Sequence, residues 1–548
     1  MTKAANSSAA EHEPLDAVVI GAGFAGLYML YRLREQGFSV HGFEQGSGVG
    51  GTWYWNRYPG ARCDSEIMYY SFSFLPDLEQ EWPLEERYPG QPEVLRYLEH
   101  VADRLDLCKD FTFNARVTAI EYDEAASLWR LRTEQGQTAT ARYVVTAVGC
   151  LSAANRPEFK GADSFRGVTL HTAAWPHEPV DFTGKRVGII GTGASGIQSI
   201  PVIARQAAHL TVFQRTAQFT IPAENHPLDP QFVALWKQNY REWRRRGRDS
   251  FGGFPVMRST LSALEVSEEQ RRATYEAAWG AAGFTFVFST FGDLVVNEEA
   301  NKTAADFVRS KIDEIVHDPK VADMLKPTAF PFGTKRLPLD TNYYETFNRP
   351  NVTLVDLRRT PLEEVIPTGI KTSGGHYDLD MIVYATGFDA LTGPLEALGI
   401  RGRAGRSLTQ TWADGPRTYL GLAVPGFPNL FTITGPGSPS VFTNMPTAIE
   451  QHVEWIGDCL AYLREHGIDA IEATEQATAS WTEHVQEVAN LTLYPKAASW
   501  YTGANIPGKP RSFLPYSGGL DNYSRKCDEV AANGYEGFAL TATHAVAS

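Results

Sequence analysis

The sequence predicts an α/β fold built on two Rossmann-like units, the second interrupted by a helical insertion. Three observations predict it. Asp16–Ile20 is a short apolar strand running straight into Gly21-Ala-Gly23-Phe-Ala-Gly26; Leu27–Glu35 follows with helical apolar spacing, and Ser39–Glu44 reads as the next strand. The same order of strand, glycine turn, helix and strand recurs in Lys185–Ile190, Gly191-Thr-Gly193-Ala-Ser-Gly196, the stretch through Ala204, and Leu210–Arg215. Arg142–Gly149 and Met381–Gly387 are apolar strands that end in glycine, where the chain is expected to cross from one unit to the other.

Between about Asn225 and Ala329 the spacing turns helical, with Trp236, Trp243 and Trp279 scattered through it, which predicts the insertion. The expected division is a first nucleotide unit at 1–150, the second at 151–224, the insertion at 225–330, the remainder of the second unit at 331–384, and a return to the first at 385–548. Helices and a Gly/Pro-rich stretch, Ser499–Pro515, fill the last part.

A chain of 548 residues has room for three or four units of about 150 residues each. Its 43% hydrophobic and 21% charged residues suit large cores under an ordinary polar surface. A net charge of −14 argues against a nucleic-acid surface, and the dense basic run Arg241-Glu-Trp-Arg-Arg-Arg-Gly-Arg248 reads as a solvated helix face. Five cysteines without a C-x-x-C pair exclude a disulfide framework, a cysteine zinc knuckle and a dithiol redox centre, and fit a reducing cytoplasm. The thirteen histidines lack H-x-x-x-H spacing with a supporting carboxylate, so no metal is expected. The first fourteen residues read as a polar, disordered tail, and no run of 18 apolar residues suggests a membrane span. The expectation is a soluble monomer or weak homo-oligomer.

A G-x-G-x-x-G turn lets the backbone approach a pyrophosphate and aims a helix N-terminus at its charge. Gly21, Gly23, Phe24, Ala25 and Gly26 form one candidate phosphate cradle; Gly191, Thr192, Gly193, Ala194, Ser195 and Gly196 form the other. Glu44, 18 residues beyond Gly26, can accept hydrogen bonds from ribose hydroxyls and would repel a 2′-phosphate, so the first unit suits FAD. The second unit carries no carboxylate there but Arg215-Thr216; a guanidinium 19 residues beyond Gly196 can fork onto a 2′-phosphate, which predicts NADPH.

Between the two glycine turns lies Phe165-Arg-Gly-Val-Thr-Leu-His171-Thr-Ala-Ala-Trp175-Pro176. Two dinucleotide sites bracketing F-x-G-x-x-x-H-x-x-x-W-P resemble the Baeyer–Villiger monooxygenase family, flavoproteins that use NADPH and O2 to turn ketones into esters or lactones. Related flavin N- and S-oxygenases lack the Trp-Pro ending. Oxygenation of amines or sulfides is therefore the alternative reading, and a flavoprotein that only binds nucleotides or oxidises NADPH is a third.

Gly50-Gly-Thr52-Trp53-Tyr54-Trp55-Asn-Arg-Tyr-Pro-Gly-Ala-Arg-Cys-Asp64 resembles a second signature of that family. The resemblance implies that Thr52, Trp53, Tyr54 and Trp55 line the isoalloxazine side of FAD, that Asp64 lies near its reactive face, and that Tyr70, Val117 and Met445 touch the cofactor. It also implies that Arg336, in Gly333-Thr-Lys335-Arg336-Leu-Pro338, is the active-site cation. In that role it favours a C4a-peroxyflavin anion and steadies the Criegee adduct, held there by Asp64, while Lys335 binds the phosphate of NADP. Sulfoxidation is implied as a side activity.

Trp500 resembles a loop tryptophan that closes over NADP and substrate, and His171 a structural or gating residue between the domains. The loop Gly435–Pro446 resembles the phenylacetone-type version and implies that Ser440, Val441 and Phe442 face substrate. Gly283–Asn301 is instead closer to cyclohexanone-type sequences, so cyclic, aliphatic, aryl and steroid ketones all stay open.

Overall fold

The computed structural model describes residues 13–542, so the predicted N-terminal tail lies, as far as residue 12, outside the described residues. The first sheet runs in the order Ile400–Arg401, Val117–Asp123, Leu128–Thr133, Thr138–Thr146, Leu15–Ile20, Val40–Phe43, Phe111–Thr112, with Leu430–Thr432 also pairing Thr138–Thr146. Ala17, Val18 and Val19 are wholly buried because parallel strands flank them and helices cover the sheet, which is why this strand reads as an unbroken apolar run. After residue 385, Ile400–Arg401 and Leu430–Thr432 join this same sheet, in parallel with Val117–Asp123 and Thr138–Thr146 respectively, while Ala470–Ala473 and Phe538–Thr541 pair with each other.

The second sheet has five parallel strands in the order Val352–Asp356, His209–Gln214, Arg186–Ile190, Met381–Tyr384, Val168–His171. Helix α1 (Phe24–Glu35) lies on the first sheet and α2 (Ala194–Gln206) on the second. Ile197, Ile200 and Ile203 recur at helical spacing on α2 and fill the second core, whereas Leu27, Leu30 and Leu33 of α1 belong to the first.

Several edges differ from the sequence expectation. Helix α1 starts at Phe24 rather than Leu27, because Gly26, lacking a Cβ, lets the first turn close directly over Gly21. The strand predicted at Arg142–Gly149 is Thr138–Thr146: Thr138–Ala141 pairs antiparallel with Leu128–Thr133, and the chain peels away before Gly149, whose φ is +70°. Met381–Tyr384 likewise stops short of Gly387 at φ +80°, and Glu44 and Arg215 stand just past their strands.

Within the predicted insertion the helices Pro230–Gln238, α3 (Tyr240–Arg248), Glu268–Ala281, Thr285–Ser289, Glu298–Ile315 and Pro319–Leu325 follow one another. Phe286, Phe291 and Phe307 build their own core with Phe332. The last two of these helices also send Ile312, Ala322 and Leu325 into the core of the second sheet, so the insertion is not a separate body. At its other end Trp236 and Tyr240 pack on Ile67 and Met68. The long α4 (Met445–Glu465) packs Ile449, Val453 and Ile456 against α1. No helix among the described residues is long and apolar enough to cross a membrane.

Candidate active site

Each glycine of the two turns has its own physical reason. A Cβ on Gly21 would lie 2.6 Å from the Ala147 carbonyl oxygen, and one on Gly26 would lie 1.7 Å from the Gly21 oxygen. In the second turn, Gly191 and Gly196 are closed off in the same way, at 2.4 Å from the Ala385 oxygen and 2.3 Å from the Gly191 oxygen. Gly193, by contrast, faces open space. The outer glycines make the turn tight and bring the helix onto the strand; the middle one leaves the approach to the backbone clear. Gly23 and Gly193 are the N-caps of α1 and α2. Neither helix carries a side-chain cap or an acidic residue in its first turn, so both leave their amides free for an anion. The Phe24 ring turns inward onto Tyr70 and Phe72, so this residue can meet a cofactor only through its backbone.

Glu44 is buried, and its carboxylate accepts from the amides of Ala22 (2.8 Å) and Gly46 (2.6 Å), tying the strand end to the glycine turn. Burial pushes its pKa up against those hydrogen bonds. Val117 opens the strand Val117–Asp123, four places along the sheet from Val40–Phe43, and is buried in one core cluster with Ile20 and Phe43. In the second unit Arg215 is exposed, and the Thr216 carbonyl accepts from Thr192 Oγ1 at 3.0 Å. Lys335 approaches from the far side of the sequence, its ammonium 4.5 Å from the centre of the Phe330 ring. Its pKa is lowered by burial and then by the neighbouring Arg215 charge. Among the described residues neither cation has a carboxylate partner.

The turn Thr52–Trp55 is a single helical turn wedged by aromatic contacts. Trp53 and Tyr70 meet edge-on at 5.7 Å, and Tyr54 and Trp55 at 5.0 Å. Downstream, Asp64 is buried and Arg336 Nη2 donates to its Oδ2 at 2.7 Å, across 272 positions of sequence. Arg336 keeps 37% of its side chain exposed, so its free edge can still meet a ligand. Burial opposes the guanidinium charge, but Asp64 and Tyr501 outweigh it and raise the pKa above the ordinary arginine value.

Residues that carried no sequence signal hold this pair in place. Gln198 of α2 accepts from Tyr58 Oη at 2.8 Å and donates to the Arg62 carbonyl at 3.0 Å, locking the segment before Asp64 onto the helix that opens at the second glycine turn. A Cβ on Gly60 would strike the Gln198 carbonyl oxygen at 2.2 Å, so that contact requires glycine. The aromatic, Tyr-Pro-Gly part of the signature was thus readable, but its partner Gln198 was not.

Four residues past Arg336, Asp340 is buried; Thr220 Oγ1 donates to its Oδ2 and the Tyr343 amide to its Oδ1. Burial pushes its carboxyl up to about 7. An acid raised above its unfolded value stabilises the fold in full only below the unfolded pKa of about 4. That contribution is lost as pH rises through the folded value. Asp340→Asn should therefore gain thermal stability relative to the parent as pH rises from about 4 to 8, by at least about 2 °C. Parallel melting curves across that range would show that Asp340 stays ionised in the fold.

The expected substrate side divides. Ser440, at φ +43°, is wholly buried. Val441 and Phe442 are half-buried. Val441 and Met445 pack with Cys150, Leu151, Leu391 and Leu514, apolar residues from three distant segments that no motif marks. Phe442 stacks among Tyr494, Tyr501 and Phe513, and Trp500 joins this cluster, its ring 4.4 Å from that of Tyr501. Lys509 pairs with Asp389, and Asn505 donates to the Phe388 carbonyl at 2.7 Å, which dock this stretch against the segment after Met381–Tyr384.

His171 is buried and accepts from the Ala173 amide at Nδ1, leaving Nε2 to donate to the Asn155 carbonyl at 3.1 Å beside Thr386. Burial lowers its pKa, which keeps the ring neutral between the two crossings. Trp175 is a core residue of the second sheet. The five cysteines are free, and no group of three or more His, Cys, Asp or Glu among the described residues could hold a metal.

Known proteins resemble this chain along most of its length. Residues 18–237 match the family model described as pyridine nucleotide-disulphide oxidoreductase. A Baeyer–Villiger monooxygenase from Pseudooceanicola batsensis is 46% identical over 95% of this chain and 95% of its own. A phenazine N-monooxygenase from Lysobacter antibioticus is 44% identical over 96% of this chain and 97% of its own. The solved structure of an oxidized steroid monooxygenase bound to NADP is 54% identical, with a TM-score of 0.92 over 96% of this chain and all of that one. With relatives this similar along nearly its whole length, the chain belongs to the Baeyer–Villiger monooxygenase family.

Proposed function

We propose that this chain binds FAD at Gly21–Gly26 and Glu44, binds NADPH at Gly191–Gly196, Arg215 and Lys335, and converts a ketone and O2 into an ester or lactone at Arg336. The observation that carries this reading is the Asp64–Arg336 pair, a guanidinium fixed by a buried carboxylate and still partly exposed. Bound there, FAD supplies the oxygen-activating chemistry, with electrons from NADPH. The protein's own part is electrostatic. Arg336 meets the negative charge that develops when the carbonyl is attacked, and Asp64 keeps it from turning away. Val441, Phe442, Trp500 and the Cys150–Leu514 wall would exclude water and orient the ketone.

In this reading the first sheet, with its strands after residue 385, is the FAD domain, and the second sheet, interrupted by 225–330, is the NADP domain. Four buried thiols and one exposed one, all free, suit a reducing cytoplasm. A second reading, oxygenation of a ring nitrogen or a sulfide, draws support from the 44% identity to the phenazine N-monooxygenase. Incubation with NADPH and, in turn, cyclohexanone, phenylacetone, progesterone and phenazine separates the readings. Ester or lactone supports the first and N-oxide the second; hydrogen peroxide alone would refute both.

The cradle itself is testable. Gly26→Ala places a methyl 1.7 Å from the Gly21 oxygen, which forces the turn open. The purified variant is expected to be colourless, with FAD affinity lower by at least about 100-fold; a yellow protein of parental affinity would place the flavin elsewhere.

A further inference from the structure

Residues 69–73 form a strap behind the aromatic wall. On the wall side the Tyr70 ring meets Phe24 at 5.3 Å and Trp53 at 5.7 Å, and Trp53 Nε1 donates to its hydroxyl at 3.3 Å. Behind it lies Arg244 of α3. Its Nη1 donates to the Tyr69 carbonyl at 2.8 Å and its Nη2 to the Ser71 carbonyl at 2.7 Å and to Ser71 Oγ. Its Nε donates to Tyr240 Oη at 2.6 Å, and that hydroxyl donates to the Phe72 carbonyl at 3.1 Å. Asn444 Nδ2 shares the Tyr69 carbonyl at 2.6 Å, and Glu450 accepts from the Ser73 hydroxyl at 2.6 Å.

Arg244 is 7% exposed and Glu450 1%. A buried guanidinium is tolerated only where its donors are used and a counter-charge is near. Burial lowers its pKa, yet Tyr240 and Glu450 outweigh that and raise it. The rest of the basic run behaves differently. Arg245 and Arg246 pair with Glu242 on the outer face, and Arg248 pairs with Glu454 of α4. Arg244 is the member of the run that enters the core, and the two carbonyls it forks are those on either side of Tyr70.

We propose that Arg244 is a positioning residue for the flavin: by clamping the Tyr69 and Ser71 carbonyls it fixes the backbone at Tyr70 and thereby the aromatic wall against which FAD lies. The insertion then helps shape the flavin site without touching it. This rests on the reading that Tyr70 lines that site.

The test compares Arg244→Lys, the milder Tyr240→Phe, Tyr70→Ala and Arg248→Met. Arg248→Met breaks a contact between α3 and α4 without touching the strap. Arg244→Lys keeps the charge but loses the fork. Its FAD dissociation constant should rise about tenfold, with a shifted absorbance spectrum of bound flavin and more hydrogen peroxide per NADPH consumed. Tyr240→Phe should move all three in the same direction by less, and serves if Arg244→Lys does not fold. Arg248→Met should leave affinity and spectrum at parental values. Parental FAD affinity and spectrum in both Arg244→Lys and Tyr240→Phe, with Tyr70→Ala altered, would overturn the clamp alone. An unaltered Tyr70→Ala would overturn the placement of FAD against Tyr70, and the clamp with it. Changes in Arg248→Met equal to those in Arg244→Lys would reduce Arg244 to ordinary docking of the insertion.

Discussion

Arg336→Ala should retain FAD and be reduced by NADPH at close to the parental rate, yet form ester about 10²–10³ times more slowly. The split follows from where the guanidinium sits. It lies in the segment after the insertion, held by Asp64 at 2.7 Å, while Gly21–Gly26 and Glu44 that would hold FAD lie in the first segment of the chain. Loss of one preorganised cation therefore removes charge stabilisation at the reacting carbonyl without emptying the cofactor site. Asp64 is 5% exposed and makes its ion pair only with Arg336 among the described residues, so the variant also leaves a carboxylate buried without its cation. A thermal melt reports that cost separately. Arg336→Lys keeps a charge near Asp64 but not the planar fork, and should recover melting temperature better than ester formation. Anaerobic stopped-flow reduction, set beside gas chromatography of the product, reads both halves; a parental ester yield from Arg336→Ala would remove the residue from the chemistry.

What could be read in advance depended on whether a local steric rule stood behind the residue. The glycine turns were legible because Gly21, Gly26, Gly191 and Gly196 each occupy a position where a Cβ would meet a carbonyl oxygen, and such positions recur with fixed spacing. Arg336 obeys no such rule. A Lys-Arg pair ordinarily lies on the surface, and its contact with Asp64 spans 272 positions, so only resemblance singled it out. Tyr58 lies within the Tyr-Pro-Gly signature, but its partner Gln198, 140 positions away, had neither a rule nor a motif.

The basic run of α3 shows the opposite error. Arg241, Arg245 and Arg246 are exposed as a solvated face should be, but Arg244 among them is buried. Nothing in local charge pattern marks which arginine of a run will find backbone carbonyls, because those carbonyls belong to residues 69 and 71. The apolar wall of Cys150, Leu391 and Leu514 was hidden for the same reason: hydrophobic residues announce burial, not which cavity they border.

Arg215→Ala should raise the KM for NADPH by about 10–100-fold and leave that for NADH little changed. Arg215 and Lys335 come from sequence positions 120 apart, neither pairs with a carboxylate among the described residues, and the Arg215 charge helps to lower the Lys335 pKa. Two cations held together in this way repel, and a dianion placed between them relieves the repulsion while accepting charge-assisted hydrogen bonds from both. A 2′-phosphate provides that dianion and a ribose hydroxyl does not. The turnover number at saturating NADPH should stay near the parental value, because the charge acts on binding alone. Lys335→Ala should show the same preference in weaker form, and the double variant should lose less than the sum of the two, since either single variant already removes the relief of their mutual repulsion. Raised salt should weaken NADPH binding in the parent more than in Arg215→Ala. Equal losses for NADPH and NADH would mean that Arg215 supports the fold of the second glycine turn and does not read the phosphate.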